Sequence, residues 1–314
     1  MKAIRFHTFG GPEVLRHEEI ERPTPGAGQV RIRVAATSYN HVDASIRAGE
    51  LQGRTPVRLP HVPGLDVAGT VDALGPGVHA LAVGDRVVGL LPVAAAGAAA
   101  GHVIAPAEAL TGVPRRLPLA DLAALPLVGL TAWQALFDHG GLTAGQRVLV
   151  HGTDGAVGGY AVQLAKEVRA QVVATADPRT AARIEAAGAD EVIDHSSTDV
   201  PAAVREPGDL VLNLAPVPPA QLVASLALIR AGGALVNVCP GTPAPSDEER
   251  GVRGIDLHVR RDTDQLADLV ARVSTGELVI DVADRVALAE LPALHAWAAT
   301  CRLSRKVVVL PTGG

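Results

Sequence analysis

The chain has 314 residues and a net charge of −5, and 48% of its residues are apolar and 19% charged. This composition is typical of a globular protein that is long enough for two domains, and the absence of basic clusters argues against a nucleic-acid partner. The only cysteines are Cys239 and Cys301, which excludes a disulfide framework and a four-cysteine zinc lobe.

Two features bear on the cellular compartment. The opening segment MKAIRFHTFG lacks the apolar core of a signal peptide. The longest stretch without Asp, Glu, Lys or Arg is 87–107, which is rich in Ala and Gly and contains Pro92 and Pro106. Such a stretch is a poor membrane span and a plausible strand–loop–strand region. We therefore expect a cytoplasmic protein with no membrane partner.

The N-terminal part of the chain predicts short strands and turns. Strands are predicted at 2–7, 29–36, 65–74 and 86–90. The second of these is the clearest, because Val30, Ile32 and Val34 alternate with arginines. Dense Gly-Pro punctuation, as in GPG at 75–77, is typical of a small β-barrel.

From residue 119 onward, helical and strand patterns alternate. Helices are predicted at 119–127, 130–139, 155–168, 179–187 and 219–229, and strands at 147–151, 171–175, 191–194, 209–214 and 233–238. This alternation predicts a parallel sheet that is covered on both faces. A helix at 263–274, a strand at 279–286, a helix at 290–299 and a strand at 306–310 follow, and they suggest that the chain returns to the first domain.

The segment 148–166, VLVHGTDGAVGGYAVQLAK, combines a strand, a glycine-rich turn and a helix. A strand–glycine turn–helix unit binds the pyrophosphate of a dinucleotide, because glycine permits close backbone approach and the helix N-terminus offers free N–H groups. The spacing is G-x-x-G-x-x-G, and a glycine triplet alone also joins strands to helices in other α/β proteins. We assign cofactor binding to the residues of this turn: Gly152, Thr153, Gly155, Ala156, Val157 and Gly158.

Several segments in the same order along nearly the whole chain resemble one family, the zinc-free quinone oxidoreductases of the medium-chain dehydrogenase/reductase superfamily. They are MKAIRFHTFGGPEVL at the start, PHVPGLDVAGTVDALGPGV at 60–78, LAVGDRVVGL at 81–90, LPLVGLTAWQAL at 125–136, the glycine turn, and GADEVIDH at 188–195. The resemblance implies an α/β protein with a GroES-like β-barrel catalytic domain, at 1–117 and 263–314, and a Rossmann doubly wound parallel sheet at 118–262. It also implies an active site in the cleft between the domains, and a homodimer.

The second Rossmann strand bears on the choice of cofactor. An acidic side chain at its end would bind the ribose 2′-hydroxyl of NAD, and Thr175 stands at that position. Arg179 and Arg183 follow, and a guanidinium suits a 2′-phosphate. We therefore expect NADPH, with Thr175 and Arg179 at the cofactor. Asp177 lies in the same loop and favours NADH instead.

The zinc ligands of the alcohol-dehydrogenase branch are not matched. Its cysteine corresponds to Asn40, and its Gly-His-Glu segment reads Gly64-Leu65-Asp66. We therefore expect no metal site. His41 and His61 leave open an opportunistic site, although surface or hydrogen-bonded histidines are the commoner explanation.

The resemblance also implies site residues. The segment 38–43, SYNHVD, matches the family's Asn-x-x-Asp turn. Asn40 is expected to bind substrate or nicotinamide ribose, Tyr39 to donate to the developing oxyanion or to be a satisfied barrel aromatic, and Asp43 to order the loop by capping the helix that begins there. Lys306 is expected as a strand-edge or phosphate-side contact. The cofactor is further expected to meet side chains at three strand or helix ends, Thr131, Asn213 and Cys239, although Cys239 also fits a buried inert thiol.

Without a metal to polarise an alkoxide, the easier chemistry is hydride transfer to an acceptor that delocalises charge onto oxygen. We therefore expect an NADPH-dependent reductase of a quinone or an α,β-unsaturated carbonyl. Two alternatives stay open: a biosynthetic enoyl or polyketide-intermediate reductase, and a nicotinamide-binding protein with little turnover.

Overall fold

The computed structural model describes residues 1–301 and 303–311. Its strands are β1 (Lys2–Arg5), β2 (Arg16–Glu19), β3 (Gln29–Ser38), β4 (Asp66–Leu74), β5 (Arg86–Leu90), β6 (His102–Pro106), β7 (Leu110–Gly112), β8 (Arg147–His151), β9 (Gln171–Ala176), β10 (Glu191–Asp194), β11 (Gly208–Asn213), β12 (Ile229–Asn237), β13 (Arg253–Asp256), β14 (Val282–Ala287) and β15 (Lys306–Leu310). Its α-helices are α1 (His41–Ala48), α2 (Pro126–Trp133), α3 (Ala156–Glu167), α4 (Pro178–Ala186), α5 (Val200–Ala203), α6 (Pro219–Ala224), α7 (Thr263–Thr275) and α8 (Leu291–Thr300).

The chain divides into two compact units. The first comprises Met1–Leu127, Arg261–Gly276 and Ile280–Gly314, and the second comprises Val128–Arg260 and Glu277–Val279. The predicted domain boundaries lie at 117/118 and 262/263, whereas the units divide at 127/128 and 260/261. Within the described ranges, no helix has the length and apolar character of a membrane span.

The first unit is built on a seven-stranded sheet in the order β14-β15-β3-β4-β5-β7, with β6 paired to β3. All pairs are antiparallel except β14 with β15. The ten-residue strand β3 pairs with β4, β6 and β15, and its apolar positions Val30, Ile32 and Val34 face the core as the alternation predicts. The C-terminal strand β15 therefore lies beside the end of β3, as the expected return of the chain requires.

The second unit is a six-stranded, wholly parallel sheet in the order β10-β9-β8-β11-β12-β13. Numbered from its own first strand, this is the order 3-2-1-4-5-6 of a dinucleotide-binding sheet, with β8 beside the point where the order reverses. The Rossmann prediction is thereby confirmed. Leu149, Val173, Val211 and Leu235 from four of these strands share one core with Leu222 of α6.

Several predicted elements differ from those observed. The predicted helix at 119–127 is only a 3₁₀ turn at Asp121–Ala124, and the next helix begins at Pro126 and widens to a π-helix at Gln134–His139. The predicted helix at 219–229 is an α-helix to Ala224 and a 3₁₀ helix at Ser225–Leu228, and it ends there because the fully buried Ile229 pairs with Gly208 as the first residue of β12. Strands β2, β7 and β13 were not predicted; they are three or four residues long and carry polar side chains, so their periodicity is weak.

Candidate functional site

The turn between β3 and α1 carries Tyr39 and Asn40 in the first unit. Ser38 ends β3 and His41 begins α1, and the Tyr39 backbone N–H donates to the carbonyl of Val307 in β15 at 3.1 Å. Asn40 occupies the N-cap position in an extended conformation, but its side chain makes no capping hydrogen bond. The amide is instead directed into a buried polar network.

Asp66, the first residue of β4, is the acceptor at the centre of that network and is fully buried. Its Oδ2 accepts hydrogen bonds from Ser38 Oγ at 2.6 Å and from Asn40 Nδ2 at 2.8 Å. Its Oδ1 accepts from the backbone N–H of Leu127 at 2.8 Å. One carboxylate therefore holds the end of β3 and the start of α2.

Lys306 supplies the cation for this carboxylate. Its Nζ lies 3.2 Å from Asp66 Oδ2, and it donates to the Tyr39 carbonyl at 2.8 Å and to Asn40 Oδ1 at 2.6 Å. Burial lowers the pKa of Lys306, while Asp66 opposes that shift. The expectation of a strand-edge or phosphate-side lysine is wrong, because β15 lies between β14 and β3 and the Lys306 side chain is 3% exposed.

Asn40 is bound at both ends by this pair, since its Nδ2 donates to Asp66 and its Oδ1 accepts from Lys306. It is 4% exposed. The geometry thus gives Asn40 a role in fixing the turn, and the predicted contact with substrate or ribose stays a prediction.

Asp43 does not cap α1, which corrects that expectation. The N-cap is Asn40, and Asp43 lies in the first turn of the helix, where its Oδ1 accepts from the backbone N–H of Gly64 at 2.9 Å. Its Oδ2 is buried and has no hydrogen-bond partner among residues 1–301 and 303–311. Burial, reinforced by the nearby charge of Asp66, raises the pKa of Asp43 to about 7.

The Tyr39 ring is 6% exposed and is packed edge-on against two imidazoles. The ring centroids lie 4.9 Å from His295 and 5.7 Å from His41. Burial, together with the charge of Asp43, raises the pKa of Tyr39 to about 12. The phenol is therefore neutral, and within the described residues its hydroxyl makes no hydrogen bond, so it is available as a donor.

In the second unit, the glycine-rich turn joins β8 to α3 as the sequence predicts. Gly152 has a φ of +89°, a conformation that favours glycine, and its N–H donates to Thr175 Oγ1 at 2.9 Å. Both the N–H and the hydroxyl of Thr153 donate to the Thr175 carbonyl. Thr153 and Thr175 are fully buried, so their side chains hold the turn in place and do not reach a ligand.

The other two glycines of the turn have opposite surroundings. A Cβ on Gly158 would collide with the backbone of Thr153, so this glycine is required for the helix to pack against the turn. A Cβ on Gly155, the N-cap of α3, would meet no heavy atom within 4 Å. Gly155 therefore faces the open space that a pyrophosphate at this helix N-terminus would occupy.

The turn also contains an acid whose role the sequence analysis missed. Asp154 accepts from the backbone N–H of Asp177 at 2.9 Å and from His195 Nε2 at 2.7 Å, and Thr180 Oγ1 donates to the same carboxylate. Asp154 thus ties the glycine turn to the start of α4 and to the segment after β10. An acid inside a phosphate-binding turn is the signal that could have identified it.

Asp177 and Arg179 form a pair at the start of α4. Asp177 is the N-cap and accepts from the Arg179 N–H, and its two carboxylate oxygens accept from Arg179 Nε and Nη2, each at 2.9 Å. The Arg179 side chain is 87% exposed. Arg183 donates to the carbonyls of Thr153 and Asp154. The Arg179 guanidinium, which the sequence predicts at a 2′-phosphate, is therefore already bound to the Asp177 carboxylate.

Of the remaining predicted residues, Asn213 and Thr131 are buried in β11 and α2, whereas Cys239 is half-buried in the segment after β12. Asn213 Nδ2 donates to Asn237 Oδ1 at 2.8 Å and to the Ala215 carbonyl, while its Oδ1 is buried with no partner in the part of the chain that the structure describes. Cys239 lines a small cavity with Asn213 and Asn237. Thr131 in α2 is 4% exposed. Asn237 is the member of this group that the sequence analysis missed.

Family models describe two parts of the chain. Residues 26–115 match the alcohol dehydrogenase GroES-like domain, and residues 187–309 match a model described as zinc-binding dehydrogenase. In the described residues, no group of three His, Cys, Asp or Glu side chains is placed to hold a metal ion.

Curated relatives carry quinone oxidoreductase names. The chain is 35% identical to the quinone oxidoreductase of Lama guanicoe over 82% of this chain and 80% of that protein. It is 37% identical to a chloroplast envelope quinone oxidoreductase homolog of Arabidopsis thaliana, over 66% of this chain and 64% of the relative's length. It is also 33% identical, over 75% of its length, to 11% of a mycocerosic acid synthase-like polyketide synthase of Mycobacterium tuberculosis.

Solved structures match over nearly the full length. The quinone oxidoreductase of Coxiella burnetii has a TM-score of 0.90 at 29% identity and covers 99% of both chains. A mycobacterial protein solved with NADPH has a TM-score of 0.86 at 30% identity, covering 99% of this chain and 100% of that one. An NAD-dependent alcohol dehydrogenase, with the same two coverages, has a TM-score of 0.90 at 28% identity.

The buried ion pair between Lys306 and Asp66 predicts that removing one charge destabilises the protein more than removing both. Lys306→Met leaves the Asp66 carboxylate buried without a cation, so we expect a loss of stability on the order of 3–5 kcal/mol. The double variant Lys306→Met/Asp66→Asn removes both charges and should recover part of that loss. The control is Lys2→Met, which breaks an exposed pair with Glu19 of the same 3.2 Å separation and should leave stability nearly unchanged, because solvent screens that pair. Denaturant unfolding measures all three, and equal losses for Lys306→Met and Lys2→Met would contradict this account.

The raised pKa of Asp43 predicts a specific pH dependence of folding stability. Its pKa is about 7 in the folded chain, against an ordinary value of 3.8, so the unfolded chain releases the proton first as pH rises. Folding stability is therefore lost between these two values as pH increases, by an amount on the order of 4 kcal/mol. Asp43→Asn abolishes this loss, so its stability relative to the parent should grow from pH 4 to pH 7.

Unfolding midpoints measured across that pH range test the prediction. The exposed Asp268→Asn serves as the control and should leave the pH profile unchanged. A stability advantage of Asp43→Asn that shrinks as pH rises would show that Asp43 is ionised and stabilising in the folded chain.

Proposed function

The chain belongs to the quinone oxidoreductase family of the medium-chain dehydrogenase/reductase superfamily, and on that premise we propose that it is an NADPH-dependent, metal-free reductase of a quinone or an α,β-unsaturated carbonyl. The observation that carries the proposal is the glycine turn, in which Gly155 faces open space at the N-terminus of α3. The family names and the mycobacterial NADPH complex support the same cofactor and acceptor class.

The residues present fit a dinucleotide. Gly152, Gly155 and the N–H groups of Ala156 and Val157 at the start of α3 would hold the pyrophosphate, and Thr131 and Cys239 would lie along the nicotinamide. When bound, NADPH supplies a hydride to the acceptor. Thr153, Thr175 and Asp154 act by holding the turn in the conformation that admits the pyrophosphate.

The choice of NADPH rests on Thr175 and Arg179. Thr175 and Ala176, which end β9, offer no acid for the ribose 2′-hydroxyl of NAD, and Arg179 is exposed at the start of α4. Asp177 opposes this choice, since it holds the Arg179 guanidinium and adds a negative charge beside it. We infer that a bound 2′-phosphate competes with Asp177 for Arg179, so the preference for NADPH is moderate.

Metal independence is supported by the chemistry of the available side chains. The positions that match the zinc ligands of the alcohol-dehydrogenase branch carry Asn40 and Leu65, neither of which suits zinc. The nearby acid, Asp66, is already neutralised by the Lys306 ammonium group. With this ammonium group as its partner, the Asp66 carboxylate is poorly suited to bind a metal ion.

Tyr39 is the residue proposed to contact the acceptor. Its neutral phenol can donate a hydrogen bond to the acceptor oxygen as negative charge develops there, and Tyr39 or water completes the protonation. Lys306 fixes the Tyr39 backbone through its carbonyl, and Asp66 fixes the adjacent Asn40. These groups position the phenol and do not themselves touch the acceptor. The homodimer implied by the family stays a prediction.

The similarity to a polyketide synthase favours a second candidate, a biosynthetic enoyl or polyketide-intermediate reductase. Both candidates use the same nicotinamide chemistry on a conjugated carbonyl. They differ in the acceptor, which would be a free quinone or enone in the first case and an acyl thioester in the second.

The test is NADPH oxidation by the purified protein with para-quinones, ortho-quinones, 2-enals and an enoyl thioester in parallel. We expect turnover of the quinones or enals, and turnover of the thioester alone would shift the assignment to the biosynthetic reductase.

Gly155→Ala should keep the parent's melting temperature but weaken NADPH binding at least about tenfold, because its methyl group enters the pyrophosphate space. Gly158→Ala should instead lower the melting temperature. No NADPH binding by the parent would overturn the proposal.

Asp177 gives a separate prediction about cofactor choice. Asp177→Asn keeps a capping side chain on α4 but releases Arg179, so the ratio of kcat/KM for NADPH to that for NADH should rise about three- to fivefold. Arg179→Gln should lower the same ratio. If neither variant changes it, the 2′-phosphate is recognised elsewhere.

A further inference from the structure

The first unit contains a buried arginine with no acid as its partner. Arg47, near the end of α1, is 6% exposed, and its Nε donates to the Gly10 carbonyl at 3.1 Å. Its Nη1 lies 3.0 Å from Nδ1 of His295 in α8. Within the part of the chain that the structure describes, Arg47 forms no ion pair, and its Nη2 makes no hydrogen bond. Burial lowers the pKa of Arg47, and Glu13 and Glu50 oppose that shift without forming an ion pair with it in the described residues. A buried cation with no directly bonded acid is costly, which makes this arrangement informative.

His295 is fixed as a second hydrogen-bond donor. A guanidinium can only donate, so Nδ1 of His295 must accept, and the proton of the neutral ring is on Nε2. Burial, assisted by the Arg47 charge, lowers the pKa of His295 to about 3, so the ring is neutral. Its Nε2 has no hydrogen-bond partner among the described residues.

These donors line one cavity between α1 and α8, with a volume of about 220 Å³. Tyr39 and Ser45 also line this cavity, and Ala44 and Ala298 supply small apolar surfaces. Three of the polar side chains, those of Tyr39, Arg47 and His295, are buried. The cavity thus combines one fixed cation, several hydrogen-bond donors and room for a few carbon atoms.

We propose that this cavity binds the carboxylate of a small organic acid, and that this carboxylate belongs to the acceptor of the reductase. Arginine Nη2 and the His295 Nε2–H suit a carboxylate because its two oxygens can each accept a hydrogen bond. The second half of the proposal rests on the proposed function, since it makes the acceptor an anionic enone or quinone. The presence of Tyr39 in the same cavity supports that link.

Glu13 and Glu50 are the acids whose charge acts on Arg47, and both oppose such binding. Glu50 lines the cavity but is exposed, so its carboxylate is largely screened by solvent, unlike the buried Arg47. Because Glu50 also contributes to the potential at Arg47, Glu50→Gln should tighten carboxylate binding about two- to fivefold.

The binding experiment uses a pair of unreactive probes, 4-oxopentanoate and its methyl ester, titrated by calorimetry into the full-length protein. The acid should bind at least about tenfold more tightly than the ester, as expected for a charge-assisted contact with a buried arginine. Arg47→Gln should abolish this difference. The control Arg54→Gln, an exposed arginine in the following segment, should retain it.

Because Arg47 also holds the Gly10 carbonyl, its variant can lose stability for another reason. Ala298→Leu provides the second variant, since it fills the cavity and leaves the Arg47 contacts intact. It should abolish acid binding at an unchanged melting temperature. Equal binding of acid and ester by the parent, or acid binding that survives both variants, would overturn the carboxylate site.

Turnover measurements distinguish the carboxylate-binding site itself from its proposed use in binding the acceptor. With NADPH, (E)-4-oxo-2-pentenoate should exceed its methyl ester in kcat/KM by about tenfold, and Arg47→Gln should remove that preference. If the acid binds through Arg47 but is not the preferred acceptor, the link to the reaction is overturned. If neither enone nor any quinone is reduced while Arg47-dependent binding persists, the proposed function fails and the carboxylate site stands.

Discussion

The buried ion pair between Asp66 and Lys306 organises the first unit. Asp66 begins β4 and Lys306 begins β15, so the pair joins strands that are far apart in sequence to the end of β3 that lies between them. Every remaining hydrogen bond of the two groups goes to the turn at Ser38–Asn40 or to the start of α2. Because both charges are removed from water, each depends on the other, and the C-terminal strand becomes a condition for the geometry around Tyr39.

In the second unit a carboxylate also holds a turn in place, but the groups involved are partly exposed and their interactions are weaker. Asp154 lies within the glycine turn and accepts from an N–H, a hydroxyl and the His195 ring, so the turn is held by the start of α4 and by the segment after β10. Backbone N–H groups at the start of α3 are then left for an anion. The Asp177–Arg179 pair sits on the surface nearby, where an exchange of partners costs little because both groups are close to solvent.

The sequence predicted the fold well, because alternating helix and strand patterns and a glycine turn act locally. The order of the parallel sheet follows from those patterns and from the handedness of the connections. The sequence predicted the buried polar network around Asp66 and Lys306 poorly. Lys306 and Asp66 lie 240 residues apart, and each stands at the start of an apolar strand where an exposed charge is the ordinary interpretation. The capping role given to Asp43 was wrong because the same carboxylate fits a distant N–H, that of Gly64, which no local pattern shows.

We propose that hydride passes directly from the nicotinamide to a conjugated carbon of the acceptor, and that the buried charges of Asp66 and Lys306 hold the Tyr39 turn in place. Mass spectrometry of the product formed from a neutral enone and NADPH labelled with deuterium at the transferable C4 position would test this transfer in one measurement. We predict one deuterium at the β-carbon of the saturated product, and solvent hydrogen at the α-carbon. NADPH oxidation that yields an unlabelled product, or no saturated product at all, would contradict it.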